Sequence, residues 1–121
     1  MILAISAAAQ QPLFPNDLAR IRANAEAAVA DWGTCVARAT LDRALDHLSP
    51  EEAVVEGERR CQREEDAALA GIEATQRAEG SPISRDQLRT MAEQIQREAR
   101  SLLIDALRRQ RSEAAEPVPT V

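Results

Sequence analysis

The chain has 121 residues, a formal net charge of −5 and an apolar fraction of 45%, within which there is one Trp, one Phe and no Tyr. That length suits one small domain, which buries only about 60–70% of the surface its unfolded chain exposes. All 15 cations are arginine, which excludes lysine Schiff-base chemistry and the lysine of a phosphate-binding loop; an acidic chain of interspersed signs also lacks the positive field that nucleic acid requires. Alanine supplies much of the apolar fraction, and it is the best helix former but a poor core filler. Long helices in close approach, a thin core and a covalent or oligomeric supplement are expected.

Residues 1–9, MILAISAAA, are apolar and end in small residues, like the second half of a secretory signal peptide without its positively charged start. The segment is too short to span a bilayer. It reads as a signal-peptide-like or truncated leader, the true start lying upstream, or else as the frayed apolar end of a cytoplasmic protein. Residues 10–16 follow as an extended segment, because Pro12 and Pro15 restrict the residues before them.

A single helical domain is expected over 17–112. Asn16 or Asp17 can cap a first helix, about 17–47, whose residues Leu18, Ile21, Ala25, Ala28, Trp32, Cys35, Val36 and Ala39 form one stripe of 3.6-residue period. The pattern then changes: Leu41, Leu45 and Leu48 point roughly opposite to Trp32, so the helix bends near 33–40 or its last turns meet a different neighbour. Ser49-Pro50-Glu51-Glu52 has a capping serine, proline at the first helical position and glutamate three residues after the serine. It starts a second helix, about 50–79, stopped by Gly80. The face of that helix is made of Val54, Gly57, Cys61, Ala68, Ile72 and Thr75, with Glu65 intruding. Ser84 with Gln87 is a second capping box and opens a third, amphipathic helix, about 85–111. In it Leu88, Ala92, Ile95, Ala99, Leu102 and Ala106 recur at spacings of four and three, a heptad-like seam that calls for a helical partner. Residues 113–121 carry two prolines and no periodicity and read as a disordered tail. The fold class is therefore all-α: a long antiparallel hairpin with a third helix packed in cis or in trans.

Leu48 lies 13 residues from Cys35 and 13 from Cys61. If the chain reverses there, each cysteine sits about 20 Å from the turn at 1.5 Å per helical residue, level with the other and on the apolar stripe of its own helix. A structural disulfide is the favoured reading, ahead of buried free thiols and of a reactive cysteine; it would close a 27-residue loop, worth roughly 3.5 kcal/mol in the chain-entropy model. A Cys-His nucleophile pair does not fit, because Cys35 and the sole histidine, His47, would stand about 18 Å apart on one helix. A zinc site needs four ligands, and two cysteines and one histidine are too few. No metal, cofactor or catalytic residue is assigned. His47 reads as a cation at a helix C-terminus, and Trp32 as a large ring that fills an alanine-rich face.

The carboxylates, for example Asp42 with Asp46 or Glu64 with Glu65, lie in runs typical of solvated helix faces, without the pocket that catalytic pairs need. The third helix carries Arg97, Arg100, Arg108, Arg109 and Arg111 on its polar face, but no aromatic residue to anchor it at a membrane surface. Packing against the hairpin or against a second copy is favoured over the membrane.

The W-x-x-C of Trp32 and Cys35, the Ser49-Pro50 turn and the second cysteine, Cys61, behind a leader-like N-terminus, resemble small exported helical proteins of Gram-negative bacteria that carry one cysteine on each helix of a hairpin. The resemblance covers 32–61 and the leader. It implies a periplasmic or secreted location and an oxidised cysteine pair, and brings no activity. The expectation is a non-enzymatic periplasmic binding or scaffolding protein whose third helix meets a protein partner or a second copy. The alternative is a cytoplasmic coiled-coil-like regulator with reduced, redox-responsive thiols.

Overall fold

The computed structural model describes residues 15–115. The leader 1–9, most of the extended segment 10–16 and all but three residues of the tail 113–121 lie outside them. Among the described residues there are four α-helices and no strand: α1 (Pro15–Thr40), α2 (Pro50–Arg60), α3 (Gln62–Ala78) and α4 (Arg85–Ala115), with a 3-10 turn over Arg43–Leu45. The all-α class follows from the alanine-rich composition and the 3.6-residue stripes.

The helix α1 begins at Pro15, so Asn16 and Asp17 lie in its first turn instead of capping it. Proline suits this position because the first turn has no use for its missing N–H, and Asp17 pairs with Arg20 at 3.0 Å. The stripe is used as the spacing requires: Ala25, Trp32 and Val36 are buried, and Val29, Cys35 and Ala39 pack beside them.

The helix stops at Thr40, seven residues short of the expected His47. The cause is the reversal of hydrophobic phase after Ala39. A continuous helix would turn Leu45 and Leu48 away from the core. Instead the Asp42 carboxylate accepts a hydrogen bond from the Ala44 N–H at 3.0 Å, the chain enters the 3-10 turn, and Leu45 is buried against Ala53 and Leu107 with Leu48 alongside. His47 is therefore exposed in the connection and caps no helix; the basic residue in the last turn of α1 is Arg38.

Both capping boxes form. Ser49 Oγ accepts from the Glu52 N–H at 3.1 Å while Glu52 accepts from the Ser49 N–H at 3.4 Å. Ser84 and Gln87 repeat the exchange at 3.1 and 2.9 Å. Gly80, at φ 78°, ends α3; the Ser81 N–H reaches the Gln76 carbonyl and the Gly80 N–H the Arg77 carbonyl, the paired bonds of a Schellman stop.

The second arm is interrupted where one continuous helix was expected. At Cys61 (φ −106°, ψ 26°) the backbone N–H bonds to the Glu58 carbonyl three residues back, and α3 starts one residue later. This is the residue joined to Cys35, with the two Cα atoms 6.0 Å apart. The break in the helical hydrogen bonding thus falls on the bridged residue itself.

Glycines keep the rest of the hairpin close. A Cβ on Gly57 would overlap the Thr40 hydroxyl and lie 3.1 Å from the Thr40 nitrogen and 3.2 Å from the Val36 carbonyl oxygen; one on Gly71 would lie 3.0 Å from the Ala25 Cα. The residue numbers of the facing pairs Thr40/Gly57, Cys35/Cys61 and Ala25/Gly71 add to 96 or 97. The register centred on Leu48 thus holds along the whole hairpin, although neither helix reaches Leu48.

Candidate functional site

Cys35 and Cys61 form a disulfide, as their position and face predicted. Cys61 is fully buried and Cys35 half-buried, both in the cluster of Trp32, Val36 and Ala68. The Glu64 carboxylate lies within 4.8 Å of the two sulfurs, the tightest group of potential metal-ligating atoms among the described residues. Cysteine ligates a metal as the thiolate, and these sulfurs are committed to each other. Thr40, at the close approach to Gly57, is 1% exposed, and its hydroxyl has no hydrogen-bond partner.

The third helix folds back in cis, mainly onto α2. Only Ala92 and Leu107 are buried on it, while Ile95 and Leu103 pack against the Trp32 cluster. A ladder of polar contacts flanks this thin stripe. Gln96 donates to Glu65 at 2.7 Å, Arg100 donates twice to Glu58 at 2.9 Å, and Arg108 pairs with Glu51. Arg111 donates to the carbonyl of Leu48 (2.6 Å) and to that of Leu45 (3.2 Å), which also accepts the Leu48 N–H, and so ties the end of α4 to the connection. The Glu58 carboxylate holds the Arg100 guanidinium above its ordinary pKa by this hydrogen bond. Three of the five arginines of the polar face therefore serve to hold α4 on the hairpin.

The expected seam is split by this docking. Ala92 is buried and Leu88, Ile95 and Ala106 are half-buried, but Ala99 is exposed and Leu102 is 72% exposed. A strict seven-residue pattern drifts about 20° per heptad around a straight helix. The stripe that follows the 3.6-residue period passes through Ala92, Gln96, Leu103 and Leu107, of which the heptad seam contains Ala92 alone. Their signal is the run of four-residue steps, and Gln96 and the arginines in and beside it hid the run by being polar.

Between α1, α2 and α4 lies an apolar cavity of about 160 Å³. Its walls are Val29, Trp32, Val36, Val54, Ile95 and Leu103, with Gly33 and Ala99 leaving room and Glu58, Gln96 and Arg100 at the rim. Trp32, 4% exposed, is both the largest ring of the core and one wall of the cavity.

The fold and this site define a disulfide-stapled helical hairpin carrying a polar-clipped third helix. Comparison of the chain with protein-family models, with curated proteins and with solved structures finds no match in any of the three. No helix among the described residues is long and apolar enough to cross a membrane.

Proposed function

We propose that the chain is a non-enzymatic binding or scaffolding protein of the periplasm that acts through helix–helix contact, α4 presenting the contact face. The observation that carries this reading is the contrast between the two parts of the molecule. The hairpin is covalently bridged and held at close-approach glycines. In contrast, α4 rests on a thin apolar stripe and exposed polar pairs, and it turns Ala99 and the 72%-exposed Leu102 to solvent. A rigid base with an apolar ridge on its outer helix is what a partner helix, or α4 of a second copy, can pack against.

The compartment is supported by the bridge, since disulfides persist where the surroundings are oxidising. The absence of catalysis is supported by the placement of the reactive side chains: the sulfurs are joined, and His47 is exposed in the connection. A photo-activated cross-linking residue placed at Leu102 of the full chain in its native compartment is expected to give a protein adduct or a covalent dimer, and one at the exposed Arg63 is not. Equal yields from both, or none from Leu102, would sink the contact. Two free thiols in protein alkylated on recovery from that compartment would move it to a reducing one.

A further inference from the structure

We infer that the cavity between α1, α2 and α4 is a binding site for a small neutral apolar molecule, an aromatic ring or compact hydrocarbon of about benzene size. Volume and lining chemistry both point to this class. An enclosed cavity of about 150 Å³ with aliphatic and aromatic walls accepts benzene; this pocket has about the same volume, about 160 Å³, and walls of the same chemistry, Val29, Trp32, Val36, Val54, Ile95 and Leu103, and it opens to solvent on one side. A water molecule needs two to four polar partners, and these walls offer side-chain hydrogen-bonding groups only at the rim.

The rim decides against an ionic ligand. Arg100 already gives two hydrogen bonds at 2.9 Å to Glu58, and Gln96 gives its amide to Glu65 at 2.7 Å. Plus and minus are matched within the protein, so an incoming carboxylate would have to displace Glu58 and leave it unpaired at an apolar mouth, which is costly. A neutral molecule leaves the Arg100–Glu58 pair in place over it. One wall is α4, so occupancy adds contacts between α4 and the hairpin where the apolar stripe is thinnest.

Trp32, the chain's one tryptophan, lines the cavity, so a single indole resonance reports the site. Benzene titrated into the oxidised full chain is expected to shift the Trp32 indole N–H signal saturably, with a dissociation constant of roughly millimolar or tighter. At about ten times that concentration Tm should rise by about 5 °C. Hexanoate of equal concentration should do neither. Ala99→Leu, which fills the mouth, should abolish the benzene shift, its helicity checked by circular dichroism. Binding to the wild-type chain is decisive even if that variant fails to fold: no indole shift, a shift that does not saturate, or hexanoate binding more tightly than benzene would overturn the assignment.

Discussion

Two glycines on the hairpin side of the molecule should respond in opposite directions to the same substitution. At Gly33 an added Cβ meets nothing within 4 Å, whereas at Gly57 it overlaps the Thr40 hydroxyl and crowds the Thr40 nitrogen at 3.1 Å and the Val36 carbonyl oxygen at 3.2 Å. Replacing a helical glycine by alanine contributes about 1 kcal/mol in propensity at either site. At Gly57 this is set against overpacking in the upper part of the usual range, about 2–3 kcal/mol. The flexible part of the obstacle is small, because two of the three crowded atoms are backbone and the disulfide four residues on holds the helices from separating. Gly33→Ala should therefore stabilise by about 1 kcal/mol and Gly57→Ala destabilise by about 1–2 kcal/mol. On a domain of this size the two variants should melt roughly 10 °C or more apart. Thermal and urea unfolding of the oxidised protein, followed by circular dichroism at 222 nm, measures this directly. Thr40→Ala supplies the closing arm of a double-mutant cycle: it removes the overlapped hydroxyl, which is itself buried and unpartnered, and should recover part of the Gly57→Ala loss as a coupling of about 0.5–3 kcal/mol. If Gly57→Ala proves as stable as Gly33→Ala, the close approach of α1 and α2 is wrong.

Replacing both cysteines by serine, or reducing the bridge, should lower unfolding free energy by roughly 3.5 kcal/mol, the cost of freeing a 27-residue loop; an unchanged urea midpoint on reduction would show that the bridge constrains nothing. Leu107→Ala should cost about 2–5 kcal/mol and Leu102→Ala less than about 0.5 kcal/mol, since one side chain is 2% exposed and the other 72%; the reverse order would mean that α4 faces the hairpin with the heptad seam. Hydrogen bonding by Arg59, joined by Arg60, holds the Glu56 carboxyl at about 2, below its ordinary value of 4.5. A depressed folded-state pKa gives stability that is present above the unfolded pKa and lost as pH falls through the folded one. Wild-type Tm should accordingly fall more steeply than that of Glu56→Gln between about pH 4.5 and pH 2, and parallel curves would contradict the pairing.

Much of the architecture was legible because it rests on local chemistry. Ser49-Pro50-Glu51-Glu52 and Ser84-Arg85-Asp86-Gln87 each carry the donors and acceptors of a helix start within four residues, and both starts formed where they were read. The cysteine pairing was legible for a related reason: helical rise and period turn sequence distance into length and angle, and residues 35 and 61 agree in both. The candidate cavity was not legible. Its walls come from three helices, and no spacing within one helix shows that Trp32, Val54 and Leu103 enclose a space together.

By itself the sequence determined that the chain is helical, where two of its helices begin, which face of α1 is buried and that Cys35 can meet Cys61. Capping, propensity and periodicity act over a few residues, and helical rise carries them to the cysteine register, so these could be read without knowing the long-range packing. Only the tertiary structure decided that α1 ends at Thr40 so that Leu45 can reach Ala53 and Leu107, that the second arm breaks at Cys61, and that α4 turns Leu103 and Leu107 inward and Leu102 outward. In each case the deciding contact is with residues distant in sequence, the core of Leu45, Ala53 and Leu107, the bridge to Cys35, and the Trp32 cluster, which no local pattern specifies.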